Sequence, residues 1–138
     1  KGVKLSVIAT MNPSTYSGVN TLTEDARSRF IGAVWEYPSN ESLKQIVDWS
    51  GIPVETVVDP MLQLVQNIHN LRINADVDYS LSPRDVVQFT DCYRMWTDST
   101  LGKPLVRSLK NTVLSKFSDL SQRELVKKQI QEIFGVTA

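Results

Sequence analysis

The sequence predicts a mainly helical fold that follows a short α/β segment, and two observations carry this prediction. Up to Pro38, short runs rich in β-forming residues alternate with a polar loop and one short helical stretch. After Pro38, apolar residues recur at helical spacing, and Asp59-Pro60 and Ser82-Pro83 have the cap-plus-proline pattern of helix starts. We therefore predict two domains, residues 1–38 and residues 39–138.

Composition narrows the possible functions. The 138 residues carry 15 Lys and Arg against 15 Asp and Glu, so the neutral balance disfavours binding to nucleic acid or to an acidic membrane surface. No apolar run approaches the roughly 18–20 residues of a membrane span. The single cysteine, Cys92, cannot form an internal disulfide, which agrees with a cytoplasmic location. Because Lys1 already lies within an element, we expect an upstream part.

Two strands and a helix are predicted in the first domain. Residues 4–10 (KLSVIAT) form a short apolar run that ends at Asn12-Pro13, and residues 32–38 (GAVWEYP) form a second that ends at Pro38. Between them, Thr23 is expected to cap the helix TEDARSRF, which has acidic residues in its first turn and arginines in its last.

Several helices are predicted in the second domain. Their expected starts are Ser39 or Asn40, Asp59 as an N-cap, Ser82, Pro104, and a capping box of Ser121 with Glu124. The first of these helices is expected to run to Gly51, and PVETVV to form a turn or short helix. The apolar spacing predicts one inward face for each helix. The expected inward residues are Leu43, Ile46, Val47, Met61, Leu64, Val65, Ile68, Leu71, Val86, Phe89, Tyr93, Trp96, Leu105, Leu109, Val113, Phe117, Leu125, Val126, Ile130, Ile133 and Phe134.

Four short motifs carry a resemblance to a known family. They are ATMNP after an apolar run, TLTEDARSRF, YPSNESL and SPRD, in this order. Together they resemble the second half of an AAA+ ATPase of the MoxR-like group, which includes the CbbQ/NorQ and midasin-type modules. The resemblance covers roughly residues 4–98, and the helices after Pro104 match loosely. It implies the C-terminal edge of a P-loop α/β AAA+ core, followed by a helical lid bundle.

Asn12 occupies the place of the family's sensor-1 residue. There, a short polar side chain at the end of a strand would bond the attacking water or the γ-phosphate of ATP. The alternative is that Asn12-Pro13 is only a strand-to-turn signal.

Arg29 occupies the place of the arginine finger, which would act on the nucleotide of a neighbouring subunit. Phe30 is expected to anchor the helix end in the core, and Arg27 is the second choice for the finger. The alternative is that a cation near a helix C-terminus only complements the helix dipole.

Arg84 matches the sensor-2 arginine of the lid, which would contact the γ-phosphate in its own subunit. It follows Ser82-Pro83 and so takes the second position of a helix. The alternative is an ordinary surface arginine at a capped helix start.

The chain lacks the parts that hold the phosphates and the metal. The only Gly-Lys pair, Gly102-Lys103, lacks the earlier glycine of a P-loop and is followed by Pro104. Val57-Val58-Asp59 is too short for the strand that ends in a Mg²⁺ ligand, and His69 has no companions at metal-ligand spacing. By resemblance, the main ATP and Mg²⁺ ligands lie upstream, and we expect this chain alone to be inactive.

The resemblance implies an ATPase that remodels or assembles another protein, as a chaperone does. It further implies a ring of identical subunits, a hexamer, and a partner with a von Willebrand A domain. The alternative of another class is a non-enzymatic helical protein-interaction module, which the missing P-loop favours. A nucleic-acid-binding module is a third possibility, which the neutral charge disfavours.

Overall fold

The computed structural model describes residues 6–11, 22–33 and 36–138, and the chain divides into two compact units, residues 1–36 and 37–138. In the first unit, helix α1 spans Glu24–Ser28, and the Thr23 hydroxyl accepts a hydrogen bond from the Ala26 amide. The predicted cap at Thr23 and the predicted helix are therefore confirmed.

The two predicted strands are wrong for the residues that can be judged. Residues 6–11, 32–33 and 36–38 have extended or irregular backbone without strand pairing. Val7 and Ile8 are exposed, and Ile8 has 92% of its side chain in solvent. A strand exists only when a neighbouring strand takes its backbone hydrogen bonds, and these apolar runs have no such neighbour in the described part.

The second unit is built from helices. They are α2 (Asn40–Ile46), a π-helical turn (Val54–Val58), α3 (Asp59–Ile73), α4 (Pro83–Thr97), α5 (Pro104–Ser108), a second π-helical turn (Leu109–Val113), a 3₁₀ turn (Leu114–Lys116) and α6 (Leu120–Phe134). The mainly helical class is thus confirmed. None of the helices described is both long and apolar enough to cross a membrane.

One apolar core holds these helices together. Its largest fully buried side chains are Phe89, Phe117, Leu43, Met61, Leu64, Ile68, Leu81, Leu109 and Ile130. Most of the predicted inward positions are among the buried residues, because their 3–4-residue spacing gives each helix one apolar face. The prediction is wrong for Ile46 and Leu125, which are exposed. Every buried residue in the described part lies in residues 37–138.

Helix α2 begins as predicted, with Ser39 as N-cap, but it ends at Ile46 rather than near Gly51. Val47 takes an extended conformation and is buried. The following loop is bonded to α4, because the Arg94 guanidinium donates to the carbonyls of Asp48 (2.5 Å) and Ser50 (3.2 Å). Tertiary contacts of Val47 and Arg94 therefore stop the helix one turn early.

The predicted N-cap at Asp59 is wrong. The π-helical turn Val54–Val58 runs directly into α3, so Asp59 already has helical dihedrals and its amide bonds to the Val54 carbonyl. With no helix start to cap, the Asp59 carboxylate pairs instead with Lys44 at 2.7 Å.

The predicted capping box of Ser121 and Glu124 is also wrong. Helix α6 begins at Leu120, and its N-cap is Asp119, whose carboxylate accepts from the Gln122 amide at 3.0 Å. The Ser121 hydroxyl donates to the same carboxylate oxygen of Asp119. An aspartate two residues earlier takes the N-cap position, and its bond to the Gln122 amide fixes the helix start there.

We expect residues 37–138 to fold without residues 1–36, because the first unit buries no described side chain. Its removal should cost less than about 1 kcal/mol and shift the unfolding midpoint by no more than about 8 °C. Thermal unfolding followed by circular dichroism at 222 nm measures this.

The matched control is a chain that starts at Asp48 and so also loses the buried Leu43 and Val47. It should unfold at much lower temperature, since loss of a buried leucine costs about 2–5 kcal/mol. A 37–138 chain without cooperative unfolding would contradict the assignment of a self-sufficient core.

Candidate functional site at the start of helix α4

Arg84 lies at the second position of helix α4, directly after Pro83, and its side chain is exposed. Within the described part, the Arg84 guanidinium makes no hydrogen bond or ion pair. It therefore lies at the positive end of the helix dipole, which favours a bound anion.

The start of α4 is held by a capping box. The Ser82 hydroxyl accepts from the Asp85 amide at 3.3 Å, and the Asp85 carboxylate accepts from the Ser82 amide at 2.8 Å. The predicted start at Ser82-Pro83 is thus confirmed. Pro83 adds a fixed φ at the first helical position. These constraints fix the backbone that carries Arg84.

Asp85 is the centre of a buried polar network. Only 4% of its side chain is exposed, and its Oδ2 accepts hydrogen bonds from the Tyr79 hydroxyl (2.7 Å) and the Ser82 hydroxyl (2.7 Å). Its Oδ1 pairs with Lys116 Nζ at 2.9 Å. The network ties the loop before α4 and the 3₁₀ turn at Lys116 to the first turn of α4.

The network keeps Asp85 ionised. Burial acts to raise the pKa of the Asp85 carboxyl, but hydrogen bonds from Ser82, Lys116 and Tyr79 outweigh that effect. The pKa of Asp85 is therefore held below its ordinary value of 3.8. Because Asp85 is charged at neutral pH, it neutralises Lys116 next to the site.

Most other arginines of the chain have hydrogen-bond partners, and Arg84 has none within the described part. The seven arginines, all described, are Arg27, Arg29, Arg72, Arg84, Arg94, Arg107 and Arg123. Five of them have hydrogen-bond partners, and the exceptions are Arg72 and Arg84. Of these two, only Arg84 lies at a helix start. Among the arginines, Arg84 is therefore the one best placed to bind an anion supplied from outside the described part.

Arg29 is the C-cap residue of α1, and it is paired rather than free. Its Nε and Nη2 donate to the two carboxylate oxygens of Asp25 at 3.2 and 3.1 Å. Both side chains are mostly exposed. Arg27 instead donates to the Leu22 carbonyl at 3.1 Å, so the two arginines point to different partners.

The sequence predicts that Phe30 anchors the end of α1 in a core. This prediction is wrong, because Phe30 is 49% exposed. The described residues of the first unit bury nothing against one another, so Phe30 has no core to enter.

The third predicted residue, Asn12, lies outside the described residues. Arg29 belongs to the unit 1–36 and Arg84 to the unit 37–138. Among the described residues, no three His, Cys, Asp or Glu side chains come together as a possible metal site.

Sequence reasoning missed the role of Asp85. The spacing of Ser82 and Asp85 is that of a capping box, so the helix-start half of the role could have been found from the sequence. No local signal marks Lys116 as its partner, because the two residues meet only through the tertiary fold.

The chain matches no family model, and neither curated proteins nor solved structures give a significant match. The resemblance that rests on the four motifs therefore stays a prediction.

We expect Asp85→Asn to lower the free energy of unfolding by about 2–4 kcal/mol at pH 7, because a buried carboxylate with four donors is replaced by an amide. The matched control is Asp119→Asn at the exposed N-cap of α6, where asparagine caps equally well and little should change. Urea unfolding measures both. Equal losses in the two variants would contradict the central role of Asp85.

The stabilisation by Asp85 should depend on pH. Since the pKa of Asp85 is lowered in the folded chain, its contribution is complete above about pH 5 and is lost as pH falls through the folded-state pKa. The difference in unfolding free energy between wild type and Asp85→Asn should therefore shrink below about pH 4. A difference that stays constant down to pH 2 would show that the charge of Asp85 contributes nothing.

Proposed function

We propose that this chain is part of an AAA+ ATPase of the MoxR-like type, in which residues 39–138 are the helical lid. Tyr37 and Pro38 lead into this lid, and the residues before Tyr37 belong to the α/β core. The ATPase would act as a protein-remodelling or assembly factor. Its P-loop and Mg²⁺ ligands would come from sequence upstream of Lys1. ATP would lie between core and lid, and between neighbouring subunits of a ring, a hexamer in this proposal.

The observation that carries the proposal is the unpaired Arg84 on a rigid, capped helix start. A sensor-2 arginine has to meet the γ-phosphate, and a partner within its own domain would compete with that contact. Lys116, the cation that pairs with the neighbouring Asp85, is neutralised by it. Arg84 is thus left to respond to an external phosphate, and the orientation of the lid would follow the nucleotide state.

The pairing of Arg29 with Asp25 is compatible with an arginine finger. An exposed pair four residues apart on a helix contributes only about 0.3–0.5 kcal/mol. A finger that accelerates phosphoryl transfer by roughly 10³–10⁵ lowers the barrier by about 4–7 kcal/mol. Exchange of Asp25 for a phosphoryl group would therefore be favourable once a neighbouring subunit presents ATP.

The non-enzymatic interaction module remains the second candidate, and the exposed apolar residues of the first unit are compatible with it. They are Val7, Ile8, Met11, Leu22, Phe30 and Ile31. Several exposed apolar side chains in one short unit are consistent with cover by another polypeptide segment. In the ATPase proposal the rest of the core covers it; in the module proposal a partner protein does so. The two proposals differ in what Arg84 and Arg29 do for hydrolysis.

The 138-residue chain alone should not hydrolyse ATP, because no segment of it can cradle the phosphates. Phosphate release with a coupled enzymatic assay measures this. Steady release above background that is abolished by Arg84→Ala in the isolated chain would contradict the assignment of the phosphate site to upstream sequence.

In the complete ATPase, Arg29→Ala should leave nucleotide affinity nearly intact and lower hydrolysis by roughly 10³ or more, because Arg29 serves the neighbour's nucleotide. Rings that mix Arg29→Ala subunits with subunits of a dead P-loop should regain activity. In such a ring, the intact P-loop of an Arg29→Ala subunit can face the intact Arg29 of a neighbouring subunit whose P-loop is dead. Mixing Arg84→Ala with the dead P-loop should restore nothing, since both lesions then cripple the subunit that carries them.

The control is Arg72→Ala, which removes the other unpaired arginine away from any helix start and should leave hydrolysis unchanged. Equal recovery in both mixtures would overturn the assigned roles. Unaltered hydrolysis in Arg29→Ala and in Arg84→Ala would show that both arginines are only surface charges.

A further inference from the structure

Tyr37 is the first residue of the second unit, and its side chain turns back onto that unit. Its hydroxyl donates a hydrogen bond to the Leu81 carbonyl, and its ring is half-buried. Leu81 itself is fully buried and directly precedes Ser82, the N-cap of α4. The point where the chain enters the unit is therefore bonded to the residue before the capping box.

The Tyr37 ring is held by a second contact. It stacks on the imidazole of His69 in α3, with ring centroids 4.3 Å apart and planes inclined by 20°. His69 Nδ1 lies 3.4 Å from the Ser80 hydroxyl, in the same loop that leads to α4. Tyr37 is thus fixed between α3 and the start of α4, which leaves its hydroxyl little freedom to leave Leu81.

The start of α4 consequently has two supports that use different groups. Asp85 holds it from within, through side chains of Tyr79, Ser82 and Lys116. Tyr37 holds it through the backbone carbonyl of Leu81. Arg84 lies between these two supports along the chain, and its own side chain takes part in neither.

We propose that Tyr37 is a positioning residue for Arg84, linking the entry point of the helical unit to the helix start that presents the guanidinium. This inference rests on the proposed role of Arg84 in ATP hydrolysis. Tyr37 does not contact the nucleotide in this proposal. It acts by fixing the Leu81 carbonyl, and so the backbone of Ser82 to Arg84, against movement that would misplace the guanidinium at the phosphate. A displacement near 1 Å is enough to lower a rate roughly 10²-fold.

The first test uses the 138-residue chain and does not depend on catalysis. Tyr37→Phe removes the hydroxyl and keeps the ring on His69. The amides of Asp85 and Val86, which bond to the Ser82 carbonyl, should then exchange with solvent roughly fivefold faster, as expected for the loss of one hydrogen bond. Amides in the middle of α6 should not change.

Tyr93→Phe is the matched control. Tyr93 lies on α4, the helix that holds Asp85 and Val86, and its hydroxyl makes no hydrogen bond within the described part. It should leave exchange at Asp85 and Val86 unaltered. Exchange at these amides that is the same in Tyr37→Phe and wild type would overturn the proposed support.

The second test uses the complete ATPase and a double-mutant cycle with Arg84→Ala. Tyr37→Phe alone should lower kcat roughly tenfold or more and change the KM for ATP less than twofold. In the Arg84→Ala background, Tyr37→Phe should lower kcat no further, because a positioning residue has nothing left to position. A purely structural role predicts the same loss in both backgrounds.

The outcomes separate the inference from the function on which it rests. If Arg84→Ala slows hydrolysis while Tyr37→Phe has no effect, or has the same effect in both backgrounds, the inference about Tyr37 is wrong and the role of Arg84 stands. If Arg84→Ala does not slow hydrolysis, the proposed role of Arg84 is wrong, and the role of Tyr37 falls with it even where the exchange test succeeds.

Discussion

The ionised carboxylate of Asp85 is the interaction on which the second unit most depends. A buried charge is tolerated only when donors and an opposite charge surround it, and here Tyr79, Ser82 and Lys116 do so. These partners come from the loop before α4, the cap of α4 and the turn after α5. The requirement to satisfy one carboxylate therefore fixes three segments at once, and with them the direction in which α4 presents Arg84.

How much of this could be predicted depends on how local each signal is. The caps at Thr23, Ser39 and Ser82 could be predicted because a capping bond is local. The side-chain hydroxyl accepts from an amide three residues ahead, so a few adjacent residues determine it. The same rule failed at Asp59 and Ser121. A π-helical turn already supplies helical backbone before Asp59, and Asp119 takes the N-cap position two residues before Ser121.

The non-local parts could not be predicted. The Lys116 partner of Asp85 and the Leu81 partner of Tyr37 are brought together only when the core forms. The predicted strands failed for a related reason. Apolar spacing in residues 4–10 indicates which side chains need burial, but a strand also needs a neighbour for its backbone. In the described part, this need for burial is not met, because Val7 and Ile8 are exposed.

The contrast between Arg84 and Arg29 follows from how each is held. Arg84 gains precision from its backbone, since Pro83, the capping box and the buried Asp85 leave only its own side-chain torsions free. Arg29 follows a helix of five residues without a buried side chain, and its bidentate pair with Asp25 restrains the guanidinium instead. In the proposed function, the first arrangement suits an arginine that would sense phosphate within its own subunit. The second suits an arginine that would release a carboxylate to reach a neighbouring subunit, because an exposed pair costs little to break.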